Sequence, residues 1–169
     1  DIVPQHHLIN NVTRDWATFS WHWFFMIQPY DFPERLMSAD PEYFIRRKLA
    51  KTKQGLSFFD EAALAEYIRC IKNPATIHAM CEDYRAGATF DFALDEADRG
   101  SIRIACPVLV LWGGRGRLPE LYDDVLDIWR AWADDVRGRA LDCGHFLPEE
   151  APEETCAALQ AFLRRKSRV

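Results

Sequence analysis

A histidine stands in a short glycine-containing turn near the end of the sequence, in the stretch DCGHFLPEEAPE from Asp142 to Glu153. The residues Val136–Leu141 before the turn are typical of a β-strand, and the acidic and proline residues after it are typical of a helix start. His145 is therefore expected at the edge of a sheet, where an imidazole can act as a general base. The same pattern also fits a histidine that only packs at a helix start, and spacing alone leaves both alternatives open.

A second histidine, His22, lies between two tryptophans in the apolar stretch TFSWHWFFMIQPY. Thr13 is a suitable N-cap and Pro29 a suitable end, so the pattern predicts one helix over residues 14–28. An imidazole in such surroundings is either a core group with satisfied hydrogen bonds or a donor directed at a ligand. Residue types alone do not decide between these two roles.

The first hundred residues, which must position His22, have the apolar spacing of helices. Asn73-Pro74 is typical of a helix start, with asparagine at the N-cap and proline at the first helical position. The predicted helices include Glu61–Ile71, a helix from Pro74 to about Ala86 that Gly87 ends, and Phe90–Ala97.

After residue 102 the pattern changes to alternating strands and helices. The run CPVLVLWG over Cys106–Gly113 is apolar and rich in β-branched residues, which predicts a strand buried on both faces of a parallel sheet. A helix over Leu121–Ala133, the strand Val136–Leu141 and a helix over Ala151–Leu163 follow. Two strands alone do not make a stable parallel sheet, so we expect the rest of the sheet from residues that precede Asp1.

Composition excludes several classes of protein. The 169 residues, 49% of them hydrophobic, suffice for one compact domain of ordinary size. The net charge is -5 and the basic residues are scattered, so nucleic acid is not an expected partner. Apolar runs stay well below the roughly 20 residues of a membrane span. The five cysteines form no CxxC pair, which favours reduced thiols in a cytoplasmic protein over disulfides or a zinc site.

The histidine stretch and the run CPVLVLWGG together resemble the last strands and the histidine loop of α/β-hydrolases. The resemblance implies that His145 is the general base. Many of these enzymes carry the orienting acid shortly after the Trp-Gly strand, but the loop Gly113–Pro119 has no carboxylate before Glu120. A known variant of the family carries the acid after an earlier strand, just before the cap domain. The matching position in this sequence is Asp1.

Longer motifs narrow the resemblance to haloacetate dehalogenases that act on fluoroacetate. The stretches WATFSWHWFF, PERLMSADPEYF and IHAMCEDYRAGATFDFALDEAD are similar to that family, and the similarity extends from Asp1 to about Leu163. It implies an α/β-hydrolase fold with an all-helical cap. The implied domains are the end of a core strand with the triad acid at 1–12, the cap at 13–98, and the C-terminal part of the core at 99–169.

The resemblance also implies a reaction, the hydrolysis of fluoroacetate to glycolate and fluoride. An aspartate carboxylate displaces fluoride to give an ester, and water activated by His145, with Asp1 behind it, hydrolyses that ester. His22, Trp23 and Tyr84 match the residues that donate hydrogen bonds to the departing halide. The implied partners are a small haloacid, the halide ion and a second copy of the chain in a homodimer, with no metal or organic cofactor, no nucleic acid and no membrane.

The nucleophile of this family belongs to a His-Asp-Arg-Gly elbow upstream of the cap. The sequence contains one Asp-Arg-Gly, at Asp98–Gly100, but it follows a polar run and precedes a strand, whereas an elbow follows a strand and begins a helix. We interpret it as a linker. We therefore expect the nucleophile and the carboxylate-binding arginines outside this chain, interpret the start at Asp1 as a truncation, and expect the chain alone to be inactive.

Two other functions fit the same residues. An epoxide hydrolase shares the aspartate nucleophile and the histidine–acid pair, and would use cap tyrosines, for which Tyr30, Tyr43, Tyr67 and Tyr84 are available. A non-enzymatic, cap-like binding module is the alternative from a different class. No Gly-x-Ser-x-Gly occurs, so a serine esterase has no support. The pair His6-His7 is expected in a surface loop, and His78 is expected to have a packing role.

Overall fold

The structure, a computed structural model, describes residues 1–51 and 55–164. The chain forms two compact units. We call Asp1–His7 with Asp98–Val169 the sheet unit, and Leu8–Ala97 the helical unit. Residues 8–12, which the sequence analysis groups with the core, belong to the helical unit. None of the described helices is long and apolar enough to cross a membrane.

The described residues of the N-terminal part of the chain form a series of helices joined by turns, as their apolar spacing predicts. Its helices are α1 (Gln5–Asn10), α2 (Arg14–Phe19), α3 (Trp21–Met26), α4 (Phe32–Ala39), α5 (Pro41–Leu49), α6 (Glu61–Ile71), α7 (Pro74–Ala88) and α8 (Phe90–Asp98).

Side-chain caps fix several of these helix starts. The predicted cap Thr13 accepts a hydrogen bond from the backbone N–H of Trp16. Asn73 accepts one from Ala75, with Pro74 at the first helical position, so this predicted start is confirmed. Asp60 accepts from two backbone N–H groups at the start of α6, whose predicted bounds are also confirmed.

The prediction of one helix over residues 14–28 is wrong, because the chain breaks between α2 and α3 at Ser20. Ser20 has φ -101° and ψ 29°. Its carbonyl accepts a hydrogen bond from the backbone N–H of Trp23, three residues further along the chain, instead of the four-residue spacing of an α-helix. The break brings the ring of Trp16 to 5.7 Å from the rings of both Trp23 and Phe24. Packing of the buried Trp16 against these two rings outweighs the continuity of the helix.

The predicted end of helix α7 at about Ala86 is also wrong. Helix α7 continues through Gly87 to Ala88, and Gly87 is buried inside it. Glycine ends a helix where it adopts a left-handed conformation, but here it keeps helical geometry and only omits a side chain at a buried position. The helix ends instead at Thr89, whose φ and ψ of -129° and -85° are not helical.

The sheet unit contains two strands among its described residues, and they are parallel. Their register pairs Val108 with Val136 and Gly113 with Leu141. The elements of this unit are β1 (Val108–Gly113), α9 (Leu118–Leu121), α10 (Val125–Arg130), β2 (Val136–Leu141), α11 (Leu147–Glu150) and α12 (Pro152–Leu163).

Two details of the sheet unit differ from the predictions. The helix expected over Leu121–Ala133 is confined to α10, because Asp124 caps a new helix start by accepting from Leu126 and Asp127. Strand β1 is only partly buried: Val110 and Gly113 are its buried residues, because β2 is its single partner among the described strands.

Candidate active site

The predicted base and the predicted acid meet within the sheet unit. Nδ1 of His145 lies 2.6 Å from Oδ2 of Asp1. The carboxylate is almost completely buried, with 6% of the side chain exposed, whereas the imidazole is 38% exposed. A carboxylate accepts hydrogen bonds and donates none, so the proton in this contact belongs to Nδ1. In a neutral imidazole the other nitrogen, Nε2, is then the basic one.

The end of strand β1 holds Asp1 in place. The backbone N–H of Gly113 donates to Oδ1 of Asp1 at 3.1 Å. The side chain of Trp129 donates to the carbonyl of Ile2 at 3.1 Å, and Val3 is buried. Asp1 thus accepts one hydrogen bond on each oxygen, and the two bonds fix its orientation toward the imidazole. Sequence reasoning did not include Gly113, although it marks the end of the predicted strand.

The loop that carries His145 passes directly over the end of β1. A Cβ atom on Gly113 would lie 1.8 Å from the carbonyl oxygen of Gly144, a distance that no side chain tolerates. Backbone hydrogen bonds of 2.9 Å from Arg115 to Cys143 and of 2.7 Å from Gly114 to Leu141 join the two loops. Gly113 therefore permits the close approach that brings His145 to Asp1.

The loop after β1 offers no competing acid. Its first carboxylate, Glu120, pairs with Arg117. Asp1 is the carboxylate that hydrogen-bonds to His145, and its role as the orienting acid stays a prediction.

The three predicted halide donors meet within the helical unit. The ring of Tyr84 on α7 lies 5.9 Å from the ring of His22 and 5.2 Å from the ring of Trp23, both on α3. We call these three residues the donor cluster. His22 is 3% exposed. Burial, and to a smaller extent the charge of Asp83, raises the pKa of Tyr84 to about 12, so its phenol keeps its proton at neutral pH.

The Asp-Arg-Gly stretch has the position of a linker. Asp98 is the last residue of α8, and Gly100 adopts a left-handed φ of 76° in the turn that follows. The next regular interaction is an isolated parallel bridge between Ile104 and Ala133. Among the described residues, no strand precedes Asp98 and no helix follows Gly100 directly, so the stretch lacks the surroundings of a nucleophile elbow.

The histidines outside the predicted site, His6, His7 and His78, lie on helices. The expectation of a surface loop for His6-His7 is wrong: both lie on α1, and His6 is 2% exposed with its ring 5.6 Å from that of Trp132. His78 lies on α7 with half of its side chain exposed, and its Nδ1 is 3.3 Å from Oε1 of Glu34.

A group of potential metal ligands occurs in the helical unit, where Glu34, His78 and Glu82 bring one ligand atom each within 4.8 Å of one another. A cation is already part of this group, because the guanidinium of Arg85 donates to Glu34 at 2.6 Å and 3.0 Å and to Glu82 at 2.6 Å. The same guanidinium donates twice to the carbonyl of Gln28. These contacts form an ion-pair network that joins α7 to α4 and to the end of α3, and they do not fit a metal centre.

Comparison with known proteins identifies the family, although no family model matches the chain. The chain is 37% identical over 164 residues to a fluoroacetate dehalogenase of Burkholderia sp., a match that covers 96% of this chain and 53% of that protein. A solved structure from Nostoc sp. PCC 7120, provisionally described as an α/β hydrolase, has a TM-score of 0.91 and 52% identity over 98% of this chain and 56% of that one. The chain has part of an α/β-hydrolase fold.

This α/β-hydrolase chain spans about half the length of the relatives it matches. It holds a mostly helical cap and two parallel strands, so the predicted fold class is confirmed for the part of the fold that is present. The chain is also 32% identical over 135 residues to a soluble epoxide hydrolase of Corynebacterium sp. (strain C12), covering 78% of this chain and 45% of that protein. Its similarity is thus to both dehalogenases and epoxide hydrolases.

Proposed function

We propose that the protein containing this chain hydrolyses haloacetates, converting fluoroacetate to glycolate and fluoride. The observation that carries this proposal is the donor cluster, in which His22, Trp23 and Tyr84 gather an imidazole, an indole and a phenol. The similarity to a fluoroacetate dehalogenase supports the same substrate class.

The donor cluster suits the chemistry of fluoride. Fluoride is small and strongly hydrated, so its departure from carbon requires hydrogen bonds that replace those of water. Three neutral donors supply such bonds without a full positive charge that would retain the ion. The raised pKa of Tyr84, about 12, supports this role because the phenol must stay protonated to donate.

The pair His145 and Asp1 serves the second half of the reaction. In the first half a carboxylate attacks the substrate carbon, an ester bond forms, and halide leaves with the electron pair of the broken bond. In the second half Nε2 of His145 takes a proton from water, the resulting hydroxide attacks the ester carbonyl, and glycolate leaves as the enzyme carboxylate is regenerated. Asp1 holds the Nδ1 proton and stabilises the imidazolium that forms.

The attacking carboxylate is proposed to lie outside residues 1–169. The Asp-Arg-Gly at Asp98 ends helix α8, where no element presents it as an elbow residue. The arginines that bind the substrate carboxylate are proposed to belong to the same elbow.

An epoxide hydrolase is the second candidate, favoured by the similarity to the Corynebacterium enzyme. That reaction needs tyrosine hydroxyls to protonate the epoxide oxygen. Of the tyrosines available for this role, Tyr30, Tyr43 and Tyr67 are 72%, 63% and 41% exposed, and Tyr84 is the one that packs against His22 and Trp23. This arrangement favours halide over epoxide.

A direct assay separates the two candidates. The protein encoded by the whole reading frame that contains this sequence is incubated with fluoroacetate, with chloroacetate and with an aryl epoxide. We expect free fluoride, measured with an ion-selective electrode, together with glycolate, and no diol. Diol formation without halide release would favour the epoxide hydrolase, and inactivity toward all three substrates would favour a binding module.

A further inference from the structure

The carboxylate of Glu150 binds the backbone on both sides of His145. Its Oε2 accepts a hydrogen bond from the N–H of Gly144 at 2.7 Å, and its Oε1 accepts one from the N–H of Phe146 at 3.0 Å. Both oxygens are thus used on the two residues that flank the imidazole. Hydrogen bonds from neutral donors to a charged acceptor are about twice as strong as those between neutral groups.

The residues around Glu150 leave room for its carboxylate and anchor the helix that carries it. A Cβ atom on Gly144 would lie 2.8 Å from each of the two carboxylate oxygens, so the close approach depends on a glycine there. The backbone N–H of Glu150 donates to the carbonyl of Phe146 at 2.8 Å. Leu147, at the start of the same short helix, is buried against Leu141 and Cys143. The Glu150 side chain therefore returns from an anchored helix to the loop that precedes it.

We propose that Glu150 is a positioning residue that holds His145 in register with Asp1. The 2.6 Å hydrogen bond between Nδ1 and Asp1 fixes one end of the imidazole, and the Glu150 clamp fixes the backbone from which the ring projects. Nε2 is then held in one direction, which a general base requires because small displacements of a reacting group reduce rates steeply. This role rests on the dehalogenase mechanism proposed above.

The two-step mechanism makes the role measurable. His145 acts in ester hydrolysis and takes no part in the displacement of halide. A change at Glu150 should therefore slow the second step and leave the first unchanged. A residue that only stabilised the fold would reduce the fraction of active protein and lower the amplitude of both steps together.

The test uses the protein encoded by the whole reading frame, with Glu150→Gln and Gly144→Ala as variants. Glutamine keeps one acceptor but turns an N–H₂ group toward a backbone N–H, and the alanine Cβ displaces the carboxylate. Glu153→Gln is the matched control, because Glu153 is exposed in the first turn of α12. Formation and decay of the covalent ester are followed in single turnovers by rapid quench and intact-mass spectrometry.

In both variants we expect ester formation at the wild-type rate and ester decay slowed on the order of 10- to 100-fold. The control is expected to match the wild type in both steps. Equal decay rates in wild type and variants, or loss of both steps in parallel, would overturn the positioning role. Absence of both ester and fluoride release in the wild type would instead overturn the proposed function, and the role of Glu150 with it.

Discussion

The surroundings of Tyr84 differ from those of a surface tyrosine. It is packed against His22 and Trp23, and its pKa is raised to about 12 mainly by burial. A phenol in this state remains a hydrogen-bond donor over the whole range in which enzymes are assayed. Tyr84 therefore stays a donor at pH 7 and at pH 10.

Removal of one donor should affect fluoride more than chloride. We expect Tyr84→Phe and His22→Ala each to lower the rate of fluoride release on the order of 100- to 1,000-fold, as for a lost oxyanion donor, and to lower chloride release much less. Chloride is more weakly hydrated and needs less help to depart. The measurement is the ratio of the two rates in pre-steady-state halide release, with the exposed Tyr43→Phe as control. Equal losses for both halides would argue against a fluoride cradle.

The raised pKa of Tyr84 also predicts a pH dependence of stability. The unfolded phenol has a pKa of about 10, and the folded one about 12. The folded state thus binds the proton more tightly, so this contribution to stability is complete below pH 10 and is lost as the pH rises toward 12. Urea unfolding at pH 9 and pH 11 should show a smaller loss for Tyr84→Phe than for the wild type. An equal loss in both proteins would contradict the buried, neutral phenol.

Sequence predicts the strands better than it predicts where helices break and end. Strand β1 follows from the continuous apolar run CPVLVLWG, and the parallel pairing of Val108 with Val136 agrees with the predicted sheet. The break at Ser20 and the continuation of α7 through Gly87 were missed, because long-range aromatic packing and burial decide them. The pair His145 and Asp1 was predicted from family resemblance, whereas the clamp of Glu150 depends on a loop geometry that no sequence pattern specifies.

The loop that carries His145 crosses close to the end of β1, so Gly113 is expected to tolerate no side chain. In Gly113→Ala the new Cβ would overlap the Gly144 carbonyl at 1.8 Å, so the loop must move away from the strand end. We expect a loss of more than about 2 kcal/mol in the free energy of unfolding, because a backbone group cannot adjust as a side chain can. Gly114→Ala is the comparison, since its nearest atom lies at 3.0 Å. Similar melting temperatures for the two variants would contradict this crossing.

At the scale of the whole molecule, the described residues include the proposed base, its proposed acid and the donor cluster, and the nucleophile is proposed to lie outside residues 1–169. Residues 1–169 expressed alone are therefore expected to release no fluoride from fluoroacetate. Repeated turnover with fluoride release by that chain, proportional to its concentration and reduced to about one equivalent in His145→Asn, would show that it contains its own nucleophile. The homodimer implied by the family resemblance remains a prediction, which light scattering of the protein from the whole reading frame tests.

The most direct test of the account is a search for the covalent ester. The protein from the whole reading frame, carrying His145→Asn, is mixed with fluoroacetate and analysed by intact-mass and peptide mass spectrometry. We predict one equivalent of fluoride and a stable mass increase of one carboxymethyl group on a single aspartate, because the base for hydrolysis is missing while the displacement proceeds. Turnover at the wild-type rate, or fluoride release with no covalent adduct, would contradict the assignment of His145 as the base that hydrolyses an aspartyl ester.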